Sequence, residues 1–291
     1  MQKHSIPRQI WRVIYPLLIY LGISLFVTIV GGVVAGFFVI HDGVNPDEIA
    51  VAIESFLLDH GIWLVLITHL ICLIVFALMW RKIRINLSKY DNAKLGLLTV
   101  ALTILSCACV SNIMTSLFDL TDIIQYFQSY EEIVEILGSG NLLVRSLPIV
   151  IAAPIGEELL HRGIVLNRLL SWMPKWVAVL VGSALFGLLH LNLLQGLYAF
   201  VLGIAFSLLY VRYRNLWVPI FAHAAINLTS IAIVEILDTT GIEFNAWLLL
   251  IPSTLVAIVC VVLLIKLTKA AVLIQEPEVE VEPTQIAYSE V

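Results

Sequence analysis

Long apolar runs separated by short polar stretches set the pattern of this chain. Those that approach or exceed about 20 residues, the length an α-helix needs to cross a hydrocarbon core of about 30 Å, fall at Trp11 to Ile40, Ile62 to Trp80, Leu95 to Leu117, Leu142 to Ser171, Trp176 to Leu191, Leu193 to Tyr210, Leu216 to Ile236 and Ala246 to Leu267. They predict an all-α, polytopic membrane protein with about eight transmembrane helices. The first run follows a basic leader with Lys3, Arg8 and Arg12. It is too long for a signal-peptide core and reads as a retained helix.

Composition agrees with the pattern. Of 291 residues, 60% are hydrophobic and 13% charged, a balance foreign to soluble domains. Every Lys and Arg except Arg145 falls in or beside segments that alternate crossings place on one side, with both chain ends. The positive-inside rule makes that side the cytoplasm and the membrane a cell membrane, with both termini inside. The acidic residues, from Asp42 to Glu243, gather in or next to the opposite loops, with Asp91 the loop exception. The net charge of -5 comes from those loops and the tail and gives no reason to expect nucleic acid.

The chain divides into residues 1–141, with helices 1 to 3 and an outside surface segment; 142–236, the polar-bearing core; 237–274, the last helix; and 275–291, an acidic, proline-containing cytoplasmic tail expected to be disordered. In the surface segment, Ile123, Ile124, Phe127, Ile133, Val134 and Leu137 recur at roughly helical spacing up to Gly138 and Gly140. Gly32 and Gly36 form a G-x-x-x-G that can let two helices approach. The basic stretch from Arg81 to Lys94 suits anionic headgroups as well as setting topology. Cys72, Cys107, Cys109 and Cys260 sit within spans, where they read as packing residues.

The fourth run is interrupted by chemistry: A-P-I-G-E-E-L-L-H-R from Ala153 to Arg162. Ionisable groups at bilayer depth are costly and seek partners. On a helix Glu158 and Arg162 stand at i, i+4 and can neutralise each other, while Glu157 shares the next face with His161. The pair can serve simply as an internal ion pair; Glu157 needs partners from elsewhere. His161 lies one turn below Glu157, placed either to tune it or to sit at the interface. His190 falls at the same distance as Glu157 from the turn around Met173 and Pro174. Phe186 shares its face. His223 and Asn227, at i, i+4 in H-A-A-I-N, reach a similar depth. His69 lies mid-span in the second run and reads as a structural histidine bonded to a neighbouring helix.

Such a set suits hydrolysis. A carboxylate can take a proton from water, a histidine can hold or share it, and histidine with asparagine can stabilise an oxyanion. Glu157, His190 and His223 also compose a metal-ligand set of the kind found in some zinc peptidases. The residues alone leave both open.

E-E-L-L-H-R at Glu157 to Arg162, F-G-L-L-H at Phe186 to His190 and H-A-A-I-N at His223 to Asn227 resemble the EExxxR, FxxxH and HxxxN motifs of the CPBP group of intramembrane endopeptidases. That group comprises type II CAAX prenyl proteases and bacterial abortive-infection and bacteriocin-immunity proteins. The resemblance covers about residues 142 to 236. It implies an intramembrane endopeptidase with a conical cavity, in which Glu157 and His190 activate water and His223 and Asn227 stabilise the oxyanion. Glu158, Arg162 and Phe186 support them. Members are described both as metalloproteases and as metal-independent glutamate proteases. No cofactor is favoured here, because base and oxyanion roles are filled without an ion; zinc held by Glu157, His190 and His223 is the other possibility. The reading is an enzyme in the membrane of a bacterial cell that cuts a peptide or membrane-protein substrate, with its cavity opening to the cytoplasm. A non-catalytic immunity or peptide-binding protein on the same fold is the alternative. An ion-coupled transporter would show inverted repeats, and none is apparent.

Overall fold

The computed structural model describes residues 5–84, 90–91, 96–127, 141–241, 245–267 and 272–273. Among them the chain forms eight helical rods: α1 (Ile6–His41), α2 (Ile49–Arg84), α3 (Leu97–Thr121), α4 (142–170), α5 (Lys175–Leu188), α6 (Leu193–Tyr213), α7 (Trp217–Thr240) and α8 (Ala246–Leu267). This is the all-α membrane architecture that the pattern predicts. Six of the rods are unbroken α-helices long and apolar enough to cross a membrane. The other two, α4 and α5, carry Glu157 and lead to His190.

α5 has 14 residues, about 21 Å at 1.5 Å per residue, less than the hydrocarbon core. His190 therefore does not sit on a spanning helix, as the run from Trp176 to Leu191 suggested. It lies in the turn between α5 and α6. Gly187 and Gly196 face each other across this hairpin: a Cβ on Gly187 would stand 2.5 Å from the Gly196 carbonyl oxygen, so only glycine lets the backbones meet. Leu191 holds the turn in the left-handed region with φ 55°, at a cost of about 1–2 kcal/mol. Asn192 then caps α6 by accepting the Gln195 N–H at 3.0 Å.

α4 is wound unevenly. Two π segments, Leu147–Ala152 and Leu159–Leu166, flank the α-helical Ala153–Glu158. Single π turns inside helices concentrate at functional sites. In the first, the Ala153 N–H reaches back to the Pro148 carbonyl. Continuing that spacing, the Ile149 carbonyl would take the N–H of residue 154, which is proline and has none. At the far end of the second, Asn167 Nδ2 lies 2.8 Å from the Arg162 carbonyl, 2.9 Å from that of Gly163 and 2.7 Å from the Tyr210 hydroxyl.

α4 runs through the centre, packing on α2, α5, α6 and α7, while α3 packs on α7 and α8. The main core gathers α4 residues such as Leu160, Ile164 and Val165 with Leu17 of α1 and Phe76 of α2. At one end, Arg168 donates to the Arg12 carbonyl and to the Tyr15 hydroxyl, the latter at 2.7 Å, and Arg212 donates to the Ile265 carbonyl at 3.0 Å. The basic ends of α1 and α4 thus meet, as do those of α6 and α8. Arg162, grouped with those basic segments on sequence, is instead sealed inside the bundle at 1% exposure. Arg145 pairs with Glu235 at the opposite end.

Tyr90–Asp91 and Val272–Leu273 pair as two short antiparallel strands. In the expected surface segment, Ile123–Tyr126 is a 3-10 turn; residues 128–140 and the tail at 275–291 lie outside the described residues. The four cysteines are buried and unpaired. Gly31 is the glycine pressed against α2, at Leu64, whereas nothing lies within 4 Å of a Cβ at Gly32.

Candidate active site

One cavity of about 1090 Å³ is lined by Glu157, His190, His223 and Asn227 together, with His69, His161 and Phe186. The four sequence-selected residues thus share one chamber.

Glu158 and Arg162 form the foundation. Both are sealed, at 0% and 1% exposure. Glu158 Oε1 accepts from Arg162 Nη1 at 2.7 Å and from His223 Nδ1 at 3.0 Å. Arg162 Nη2 donates to the Gly203 carbonyl at 3.0 Å. The guanidinium lies over the rings of Phe186 and Phe206, at 4.5 and 5.2 Å from their centroids. The pair is as the i, i+4 spacing implied. Its grip on His223 through Glu158 was not legible from spacing, because nothing in a single chain says how α7 is rotated against α4.

Phe186 is a wall shared by the site. His161 and His190 meet its ring with centroids 4.8 and 4.9 Å apart, both near perpendicular, and His223 at 6.0 Å. Phe206 stacks on His223 from another side at 5.1 Å. His161, open on sequence between an interfacial place and one beside Glu157, is 4% exposed and faces the cavity, and its Nδ1 has no hydrogen-bond partner.

The hydrogen bonds fix where protons sit. His190 Nδ1 is 2.9 Å from the Phe186 carbonyl, which only accepts, so Nδ1 carries the hydrogen and a neutral His190 presents the Nε2 lone pair. His223 Nδ1 donates to the Glu158 carboxylate, again leaving Nε2 free. A carboxylate behind an imidazole in this way orients the ring and supports the imidazolium. Asn227 Nδ2 donates to the Ile149 carbonyl at 2.8 Å, the acceptor left bare by Pro154; its second amide hydrogen remains.

Glu157 stands apart from Glu158. Its Oε1 lies 3.2 Å from His69 Nε2, and its Oε2 is buried without a hydrogen-bond partner. His69 is the site residue that sequence reasoning set aside as structural. Its mid-span position was the available signal, but a lone histidine 88 residues from Glu157 has no spacing that ties it to the motifs.

Among the described residues, no three His, Cys, Asp or Glu side chains are grouped so as to hold a metal ion. Glu157 turns one oxygen to His69, and His223 gives its Nδ1 to Glu158.

The cavity runs from this cluster past Ile149 and Ile231 to Asp119, Asp122, Gln125 and Arg145. The first three are exposed, and they lie at the end of the bundle opposite the basic loops. The cavity therefore reaches the surface on the acidic side, the reverse of the expected cytoplasmic mouth.

Residues 139–229 match the family model for type II CAAX prenyl endopeptidase Rce1-like proteins. A protein of Bacillus subtilis (strain 168) named "Putative membrane peptidase YdiL" is 27% identical over 187 residues, covering 60% of this chain and 72% of that protein. No solved structure matches.

Proposed function

We propose, from the likeness of residues 139–229 to type II CAAX prenyl endopeptidase Rce1-like proteins, that this chain hydrolyses a peptide bond within its cavity. The observation that supports the reading is the single chamber lined by Glu157, His190, His223 and Asn227 together.

In the proposed reaction, water sits between Glu157 and His190 and gives up a proton to one of them as its oxygen adds to the scissile carbonyl carbon. The oxyanion is met by the second amide hydrogen of Asn227 and by His223. His223 donates there only as the imidazolium, a state that the Glu158 carboxylate behind it supports. As the carbon–nitrogen bond breaks, the proton taken from water passes to the leaving amine. No step is routed through a metal, because side chains fill the base and oxyanion roles.

The cavity exceeds the roughly 300–1,000 Å³ of small-molecule pockets and has room for a short extended peptide. The substrate is a peptide or a segment of a membrane protein, entering from the end that carries Asp119 and Arg145. With the basic ends assigned to the cytoplasm, that mouth faces away from it.

The test compares membrane-protein N-termini in cells carrying wild type and Glu157→Gln at matched expression. N-termini that disappear in the variant are the expected result. Identical sets, with any phenotype intact, would instead support the peptide-binding or immunity role.

A further inference from the structure

His69 lies on α2, outside the segment that matches the family model, yet it makes the hydrogen bond to Glu157. Its ring is held on two sides. Nδ1 is 2.8 Å from the Val65 carbonyl one turn earlier, and Tyr20 of α1 packs against the ring, edge to face, with centroids 6.4 Å apart. The α4 backbone is close as well: a Cβ at Gly156 would be 3.7 Å from the His69 carbonyl oxygen. A surface histidine would swing; this one is buried, at 6% exposure, with its tautomer set by a carbonyl.

That tautomer decides the rest. The Val65 carbonyl can only accept, so Nδ1 keeps its hydrogen in every state of the pair. Nε2 faces Glu157 Oε1, and one proton must lie between them, on the imidazole or on the carboxyl. Either way Oε1 is occupied, and Oε2, buried and without a hydrogen-bond partner, is the oxygen left unengaged.

We infer that His69 is a positioning residue for Glu157: α2 engages one carboxyl oxygen, leaves the other unpartnered and shares one proton with the pair, so the site is completed by helices outside the CPBP-like segment. This rests on the peptidase reading for its catalytic meaning, but the pairing itself can be tested without a substrate.

The experiment uses the full-length protein in detergent. Infrared difference spectra of wild type against Glu157→Gln isolate the carboxyl signal of Glu157, and the spectrum is repeated in His69→Leu and His69→Gln. The inference expects the Glu157 band to move in His69→Leu and to return towards its wild-type position in His69→Gln, which restores an N–H at similar reach. It further expects loss of the Glu157-dependent N-termini by tenfold or more in His69→Leu, with His69→Gln recovering most of them. A purely packing role would leave the band in place, and an unmoved band overturns the inference whatever happens to cleavage. If His69→Leu does not fold, histidine ¹⁵N spectra serve instead. The Nε2 resonance of His69, identified by its absence in His69→Gln, must shift between wild type and Glu157→Gln; an unchanged resonance overturns the inference. A moved band in a protein whose wild type cuts nothing leaves the pairing standing and removes the peptidase reading.

Discussion

Asn227 donates its amide to the carbonyl of Ile149 at 2.8 Å, the acceptor that Pro154 leaves without a donor in its own helix. One side chain therefore serves the backbone of α4 and the chamber at once, and the two duties separate in variants. Asn227→Leu strands a carbonyl, which costs about 1–3 kcal/mol, and removes an oxyanion donor. Adding Pro154→Ala supplies an N–H in the right part of α4. Thermal unfolding in detergent should show the double variant regaining stability over Asn227→Leu, while cleavage stays lost. Cleavage returning with stability would reduce Asn227 to a support.

The two neighbouring glutamates should part company in the same assays. Glu158→Gln leaves Arg162 charged at 1% exposure and withdraws the carboxylate from His223. Breaking a buried pair costs about 3–5 kcal/mol, so a large fall in melting temperature accompanies the loss of cleavage. Glu157→Gln should melt within a few degrees of wild type and lose cleavage by about 10²–10⁴, the range for removing a general base. Equal melting of the two variants would contradict the division of roles drawn here.

Gly187→Ala tests how His190 is placed. The new Cβ would meet the Gly196 carbonyl oxygen at 2.5 Å, forcing α5 and α6 apart at about 1–3 kcal/mol and displacing the turn. Reduced stability and cleavage are expected. Gly32→Ala, where nothing lies within 4 Å, should change neither, and serves as the control.

Metal removal should leave the wild type active. Because side chains fill the base and oxyanion roles in the proposed reaction, cleavage is expected to survive dialysis against a chelator, and purified protein should carry zinc well below one ion per chain. Loss of cleavage restored by added zinc would reverse the assignment.

Much of the chamber was readable because polar residues in membrane spans are rare and expensive, so Glu157, His190, His223 and Asn227 announce themselves, and counting from shared turns gives their depth. Depth is all such counting gives. It carries no information on rotation about a helix axis, and so it gave neither the Glu158–His223 hydrogen bond nor Glu157 as the partner of His69 on the neighbouring helix. The eight apolar runs match the eight rods among the described residues, but did not give the shortness of α5, since the apolar stretch continues through the turn at His190 without a break in hydropathy. The direction of the cavity was misread for a related reason: loop charge reports the side on which a segment lies, not where the bundle is hollow.

Glu158 and Arg162 finally bear on how the chain enters the bilayer. Each charge alone would add about 2.5–3.5 kcal/mol to the insertion of its segment, while α7, which later supplies His223, is still unsynthesised. Placing the two on successive turns of one helix gives α4 its counter-ion before any other helix from the C-terminal half exists. The pair that later anchors the site is also a passport for translocon-mediated insertion, and separating its members along the sequence should lower the yield of membrane-integrated protein before it affects any reaction.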